Sequence, residues 1–332
     1  MIRTVIPKGR LNEFLEDIIK KYWLTAPVRE GGNLVFKEAR DISEIALEDE
    51  LPYKSPKEVF FPQSERIMTF GKDGELQLPE TPPPTVLFGV RPCDLEAIKV
   101  MTAVFTKGQY RDPYYKQRLD NTIIIGMECI SEKKGCFCSE RGIDRHSSSN
   151  CDLFFNEDGE NFLVTVYTQK GKNLLDAFGV QQLDTCVQER NAGDCVSYIA
   201  PLPGGTAINS TAINSTHELL EIDADENVLF SDINWDRITE KCIGCGTCTY
   251  ICPTCHCFEF KDTEVDGYAL RYRCWDSCMY PKFTLHASGH NPRPGKKERY
   301  RQRVLHKYVY IRKNFGLTAC TGCGRCIRSC PA

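Results

Sequence analysis

Leu11, Phe14, Leu15, Ile18, Ile19 and Tyr22 fall on one face of a 3.6-residue period, which predicts an amphipathic helix over residues 10–22. Past a Pro-rich stretch at 79–84, the run Thr85-Val86-Leu87-Phe88-Gly89-Val90 predicts a short buried strand. Asp94 then stands as the N-cap of a predicted helix carrying Leu95, Ile98, Met101 and Phe105, and a second apolar strand follows at 122–127. Strand, helix and strand of this length make a βαβ unit, so the strands should be parallel neighbours with a right-handed crossover. Further on, alternation over 162–168 predicts a strand, and 173–178 a short helix.

Residues 201–216 break this pattern. They contain Pro203-Gly204-Gly205 and the pentapeptide Ala-Ile-Asn-Ser-Thr twice in tandem, the composition of a loop or linker. A division into an α/β domain at 1–216 and a second domain at 217–332 follows. In the second, a helix is predicted over 297–314 with Tyr300, Val304, Tyr308 and Ile311 on one face and Gly316 as its C-cap. The stretch 253–319 reads mainly helical, so this domain is expected to be all-α and ferredoxin-like.

Composition narrows the chemistry. A net charge of -3 removes the basic balance of a nucleic-acid binder. No apolar run reaches the roughly 18 residues of a membrane span, and the N-terminus lacks a signal-peptide core, so a cytoplasmic location is expected. Nineteen cysteines in such a compartment point to metal ligation rather than disulfides.

Their spacing is specific. Cys242-x2-Cys245-x2-Cys248-x3-Cys252-Pro253 has the pattern of a bacterial ferredoxin run, and Cys320-x2-Cys323-x2-Cys326-x3-Cys330-Pro331 repeats it. In two-cluster ferredoxins the fourth cysteine of each run serves the other cluster. This assigns Cys242, Cys245, Cys248 and Cys330 to one [4Fe-4S] cluster, and Cys320, Cys323, Cys326 and Cys252 to a second. Structural zinc usually uses paired C-x2-C units without the third and fourth cysteines at these offsets. Cys252-Pro253-Thr254-Cys255-His256 also matches a haem attachment pattern, but Cys252 is already required by the run.

Cys93 and Cys129 fall at the carboxyl ends of the two predicted parallel strands, which open into one crevice. With Cys136 and Cys138 they make a four-cysteine set that admits either a third [4Fe-4S] cluster or ordinary buried thiols. Cys151, Cys186 and Cys195 read as buried residues, while Cys255, Cys257, Cys274 and Cys278 fit an extra metal site or packing around the clusters. The basic segment Arg293, Lys296, Lys297, Arg299, Arg301, Arg303 and Lys307 reads as a solvated face, or as cations that raise cluster potentials or dock an acidic partner.

With these residues located, the chain resembles the family of anaerobic sulfite reductase A subunits and soluble sulfhydrogenase beta subunits. The motifs are Phe88-Gly89-Val90-Arg91-Pro92-Cys93-Asp94-Leu95, Cys136-Phe137-Cys138, residues 242–258, Trp275-Asp276-Ser277-Cys278-Met279, Gly289-His290-Asn291-Pro292-Arg293, Arg301-Gln302-Arg303 with His306-Lys307, and residues 320–331. The resemblance implies a non-catalytic subunit that passes electrons between a flavin-containing NAD(P)H-linked or ferredoxin-linked subunit and a separate catalytic reductase or hydrogenase. It also implies a third cluster at Cys93, Cys129, Cys136 and Cys138. The competing reading is an oxidoreductase with its own substrate site at the N-terminal cluster or the extra cysteines; the chain has no G-x-G-x-x-G, P-loop or nucleophile-base pattern to support it.

Overall fold

The structure, a computed structural model, describes residues 2–180, 226–231 and 233–332. The linker and domain boundary read at 201–216, with Cys186 and Cys195, lie outside the described residues.

In chain order the strands are β1 (Ile2–Pro7), β2 (Trp23–Glu30), β3 (Asn33–Ala39), β4 (Ser64–Phe70), β5 (Leu76–Gln77), β6 (Thr85–Val90), β7 (Thr122–Met127), β8 (Leu153–Asp158), β9 (Asn161–Val166), β10 (Phe258–Val265) and β11 (Tyr268–Trp275). The helices are α1 (Leu11–Lys21), α2 (Pro92–Thr106), α3 (Pro113–Asp120), α4 (Gln169–Ala177), α5 (Glu226–Ser231), α6 (Trp235–Thr239), α7 (Thr247–Tyr250), α8 (Lys296–Leu305), α9 (Ile311–Phe315) and α10 (Arg325–Arg328).

The N-terminal region is a mixed sheet in the order β1-β9-β8-β7-β6-β2-β3. Its middle strands β2, β6, β7 and β8 run parallel, and antiparallel partners close both edges. The apolar runs of β6 and β7 follow from their position, since a parallel strand covered on both faces has no side to leave polar. Leu11, Phe14, Leu15 and Ile18 of α1 pack with Phe88, Ile125 and Phe155 on one face. Leu95, Ile98, Met101 and Phe105 of α2 pack with Leu87, Ile124 and Phe154 on the other. Each such side chain contributes about 1.5–3 kcal/mol by leaving water. The expected parallel pairing of β6 and β7 is present, with Thr85 opposite Thr122. The expected N-cap is not: α2 starts earlier, with Arg91 before it and Pro92 in its first turn, and the Asp94 carboxylate is engaged by Arg325.

The C-terminal region departs from the all-α expectation. It contains the hairpin β10–β11, which joins β4 and β5 in an antiparallel sheet ordered β10-β11-β4-β5. Asp266 and Gly267 make the two-residue turn, with φ of 52° and 80°. An Asp-Gly pair adopts positive φ at both positions readily, and this is the strongest short hairpin signal a sequence carries. The sheet therefore combines strands from before and after the undescribed segment. Buried Arg273 of β11 donates from Nε to Glu65 of β4 at 2.9 Å and also pairs with Asp112. The helix expected over 297–314 is present as α8, a π-turn at His306–Tyr310, and α9, closed by Gly316 at φ 69°. Among the described residues no helix is long and apolar enough to cross a membrane.

Candidate metal centres

The two ferredoxin runs fold alike because they share glycines at equivalent places. Gly244 and Gly246 in the first, and Gly322 and Gly324 in the second, all have φ between 63° and 76°. The loops curl around their cysteines before entering the short helices α7 and α10, which pack together. Cys248 lies close enough to Cys242, Cys252 and Cys326 to sense their charges, and Cys323 senses Cys252. Cys252 thus lies near cysteines of both runs. Cys245 and Cys330 are exposed, whereas Cys252 and Cys323 are buried.

Three cations reach into this group, Lys57 and Lys307 buried and Arg303 half-buried with its Nε enclosed. Lys57 Nζ donates to the carbonyls of Cys252 and Cys255 at 3.0 Å each and sits 3.9 Å over the Trp275 ring. Burial lowers its pKa to about 8, against the raising pull of Cys255 and Cys252. Arg303 donates from Nη2 to the Cys248 carbonyl at 3.0 Å, and its buried Nε has no partner. Lys307 donates to Thr254 Oγ1 at 2.7 Å. Burial opposes its charge, but Cys252 and Cys255 hold its pKa above the usual lysine range. The Cys252 thiol is held low first by a hydrogen bond from Cys255 and then, against burial, by Lys307 and Arg303. Among the described residues none of these three cations is ion-paired with a carboxylate. Unpaired buried cations are costly unless an anion is near, and thiolate-ligated clusters are anionic.

The buried face of α8 and its extension is where the sequence expectation fails. Arg299, Leu305, Lys307 and Ile311 are buried, while Tyr300, Val304 and Tyr308 are only half-buried. Arg299, Arg303 and Lys307 recur every four residues, so one inward helical stripe is cationic. That spacing is the signal the sequence carries.

In the N-terminal region, Cys93 lies in the first turn of α2 and Cys129 just past β7, at the carboxyl ends of adjacent parallel strands. Together with Cys136 and Cys138 they line one narrow pocket, with Arg91, Glu132, Lys133 and Arg145 in its wall. Asp49 anchors the loop after Cys129 by accepting from the backbone N–H of Ile130 at 3.2 Å and of Ser131 at 3.0 Å. Nothing in the sequence marks Asp49 for this role. Burial pushes the Cys93, Cys129 and Cys138 thiols up, so they stay protonated until a metal displaces the proton. This set also abuts the second ferredoxin run: Cys136 Sγ is 3.3 Å from the Cys323 carbonyl, and Phe137 N–H donates to the Gly322 carbonyl at 2.8 Å.

The remaining cysteines divide. Cys255 contacts Cys252, and Cys257 contacts Cys278. Cys274 instead reaches Ser64 Oγ at 3.5 Å on β4, through the strand pairing that places these residues opposite each other. Cys151 sits in the apolar core, where burial pushes its thiol up to about 12. His256 of the haem-like pattern is packed against His306 and Phe105, and burial lowers its pKa to about 4. Among the described residues no three His, Cys, Asp or Glu side chains are gathered to hold a single metal ion. A [4Fe-4S] cluster takes each thiolate at a different iron, so its cradle is a cavity rimmed by cysteines.

Residues 241–332 match the 4Fe-4S dicluster domain family. The chain is 32% identical to sulfhydrogenase 2 subunit beta of Pyrococcus furiosus over 309 residues, covering 92% of this chain and 87% of that protein. No solved structure matches. Both ferredoxin runs lie inside the matched domain, and the relative aligns along nearly the whole chain. The chain therefore belongs to the sulfhydrogenase beta-subunit family, as an iron-sulfur electron-transfer subunit.

Proposed function

We propose that this chain passes electrons singly through three [4Fe-4S] clusters, between a flavin-containing NAD(P)H-linked or ferredoxin-linked subunit and a separate catalytic reductase or hydrogenase subunit. Cys242, Cys245, Cys248 and Cys330 would hold the first cluster, Cys320, Cys323, Cys326 and Cys252 the second, and Cys93, Cys129, Cys136 and Cys138 the third. When bound, these groups supply one-electron chemistry at potentials set by charge, hydrogen bonds to sulfur and exposure. The observation that carries the reading is the cavity lined by the four N-terminal cysteines and pressed against Cys323. It joins a third centre to the ferredoxin pair without intervening structure. The exposed Cys245 and Cys330 favour the first cluster as the one that meets a partner. The sulfhydrogenase relative supports a multi-subunit setting.

Iron content tests this. Anaerobically isolated chain should hold about 12 iron atoms, and Cys93→Ser should lower that to about 8 while sparing the C-terminal signals in electron paramagnetic resonance. Unchanged iron in Cys93→Ser would refute the third centre.

A further inference from the structure

The geometry points to Asp94 and Arg325 as positioning residues that set the separation between the N-terminal centre and the cluster of the second ferredoxin run, an inference that rests on the three-cluster reading. Arg325 lies between the ligands Cys323 and Cys326, and Asp94 directly follows Cys93. The guanidinium grips the carboxylate with both arms, Nη1 to Oδ1 at 2.6 Å and Nη2 to Oδ2 at 2.8 Å. Its third donor, Nε, reaches the Pro52 carbonyl at 2.9 Å. Both side chains are buried, at 1% and 0% exposure.

A buried ion pair is a poor stabiliser, because the cost of taking both charges out of water roughly cancels their attraction, and an apolar pair often serves as well or better. What it supplies is geometry: a two-pronged grip fixes distance and angle, which an apolar contact does not. Here the two ends of that grip are attached to the backbones of two different centres.

The surrounding contacts act in the same sense. Gly322 and Gly324 bring the second run against the 135–138 loop so closely that an added Cβ would lie 2.6 Å from the Phe137 carbonyl or 2.2 Å from the Gly135 oxygen. Arg328 spans the joint, donating to the carbonyls of Lys134 at 2.9 Å and Cys323 at 3.3 Å. The first run has no corresponding clamp, since Gly246, the counterpart of Gly324, is followed by Thr247 where the second run has Arg325. Electron tunnelling falls exponentially with separation, so a rigid joint between two centres acts directly on transfer rate. The pair is also neutral as a whole, so it acts on position far more than on potential.

The experiment uses the full chain, prepared anaerobically and fully reduced. Two paramagnetic clusters held close split each other's resonance signals through a dipolar coupling that falls with the cube of their distance. Arg325→Lys keeps the charge but loses the two-pronged grip; Asp94→Leu combined with Arg325→Met removes both charges while keeping apolar bulk. Iron content should stay at the unaltered level in both variants, the splitting between the N-terminal and second-run signals should be reduced or lost, and the midpoint potentials of the double variant should be nearly unmoved. Unchanged splitting at full iron content overturns the inference, and so does loss of iron in Arg325→Lys, which would make the pair a structural prop. Should the double variant fail to fold, Arg325→Lys alone decides. If the unaltered chain holds iron for two clusters only, the three-cluster reading falls first and this inference falls with it.

Discussion

The same ligand chemistry sits in opposite electrostatic surroundings at the two ends of this chain. Around the ferredoxin runs, Lys57, Arg303 and Lys307 are turned inward without carboxylate partners among the described residues. At the N-terminal cysteines the most buried cations are matched, Arg91 lying 3.9 Å from Asp49, which also pairs with Lys133, and Arg325 being held by Asp94, while the half-buried Arg145 donates to a carbonyl. An electron added to a cluster adds negative charge, which uncompensated cations stabilise and matched pairs do not. On the proposed three-cluster reading, the C-terminal clusters should therefore have the higher potentials, and the N-terminal centre the lower.

The regions also differ in how each is built, and a pair of glycines tests this with the largest expected effect. Gly244 and Gly322 occupy the same place in their runs, both at positive φ, but nothing lies within 4 Å of a Cβ added at Gly244, whereas at Gly322 it would meet Phe137 backbone at 2.6 Å. Gly244→Ala should cost only the left-handed backbone penalty of about 1–2 kcal/mol. Gly322→Ala adds a clash that no flexible side chain can relieve, for a total of about 2–5 kcal/mol. Anaerobic thermal unfolding of the cluster-loaded protein should show the difference, with iron loss in Gly322→Ala; equal losses would mean that the second run is no more firmly seated than the first.

That asymmetry bears on what could be read in advance. The dicluster domain was legible because its eight run cysteines lie in two short, repeated strings whose spacing suits iron-sulfur ligation and little else. The proximity of Cys93 and Cys129 was legible only through the βαβ pattern, which puts them at neighbouring strand ends. The hairpin has a local signal in Asp266-Gly267, but the expected all-α domain left no place for it. Its partner β4 lies far away in sequence, and no local pattern joins Glu65 to Arg273. Likewise Lys57, Asp49 and Arg325 act through tertiary contacts and each alone looks like an ordinary surface residue, while Asp94 reads locally as a helix cap and not as the partner of Arg325. Polar residues become informative only once the fold shows which of them are buried.

The electrostatic half of the comparison is sharpened by removing one inward cation. Arg303→Met keeps the length and apolar stem of the side chain and removes a half-buried charge beside Cys248, Cys252 and Cys326. At an effective dielectric of about 20, a unit charge at about 8–10 Å is worth roughly 2 kcal/mol, so the C-terminal midpoint potentials should fall by on the order of 50–100 mV. The N-terminal centre should scarcely move. Potentiometric titration followed by electron paramagnetic resonance reads both regions in one sample, and a uniform shift across all signals would break the distinction.

The reciprocal change is expected to be smaller and opposite in sign. Asp49→Asn removes an anion beside the N-terminal cysteines while keeping a side-chain oxygen able to accept from Ile130 and Ser131. Losing negative charge makes reduction easier, so the N-terminal midpoint should rise. Asp49 is 22% exposed and shared between Lys133 and Arg91, so solvent screens part of the effect and a rise on the order of 20–50 mV is expected. The C-terminal signals should stay in place, because Lys57, Arg303 and Lys307 are untouched. A fall at the N-terminal centre would mean that Asp49 acts mainly by aiming Arg91 and Lys133 at the cysteines, and the matched charges there would then have to be read as a directed field instead of a balance.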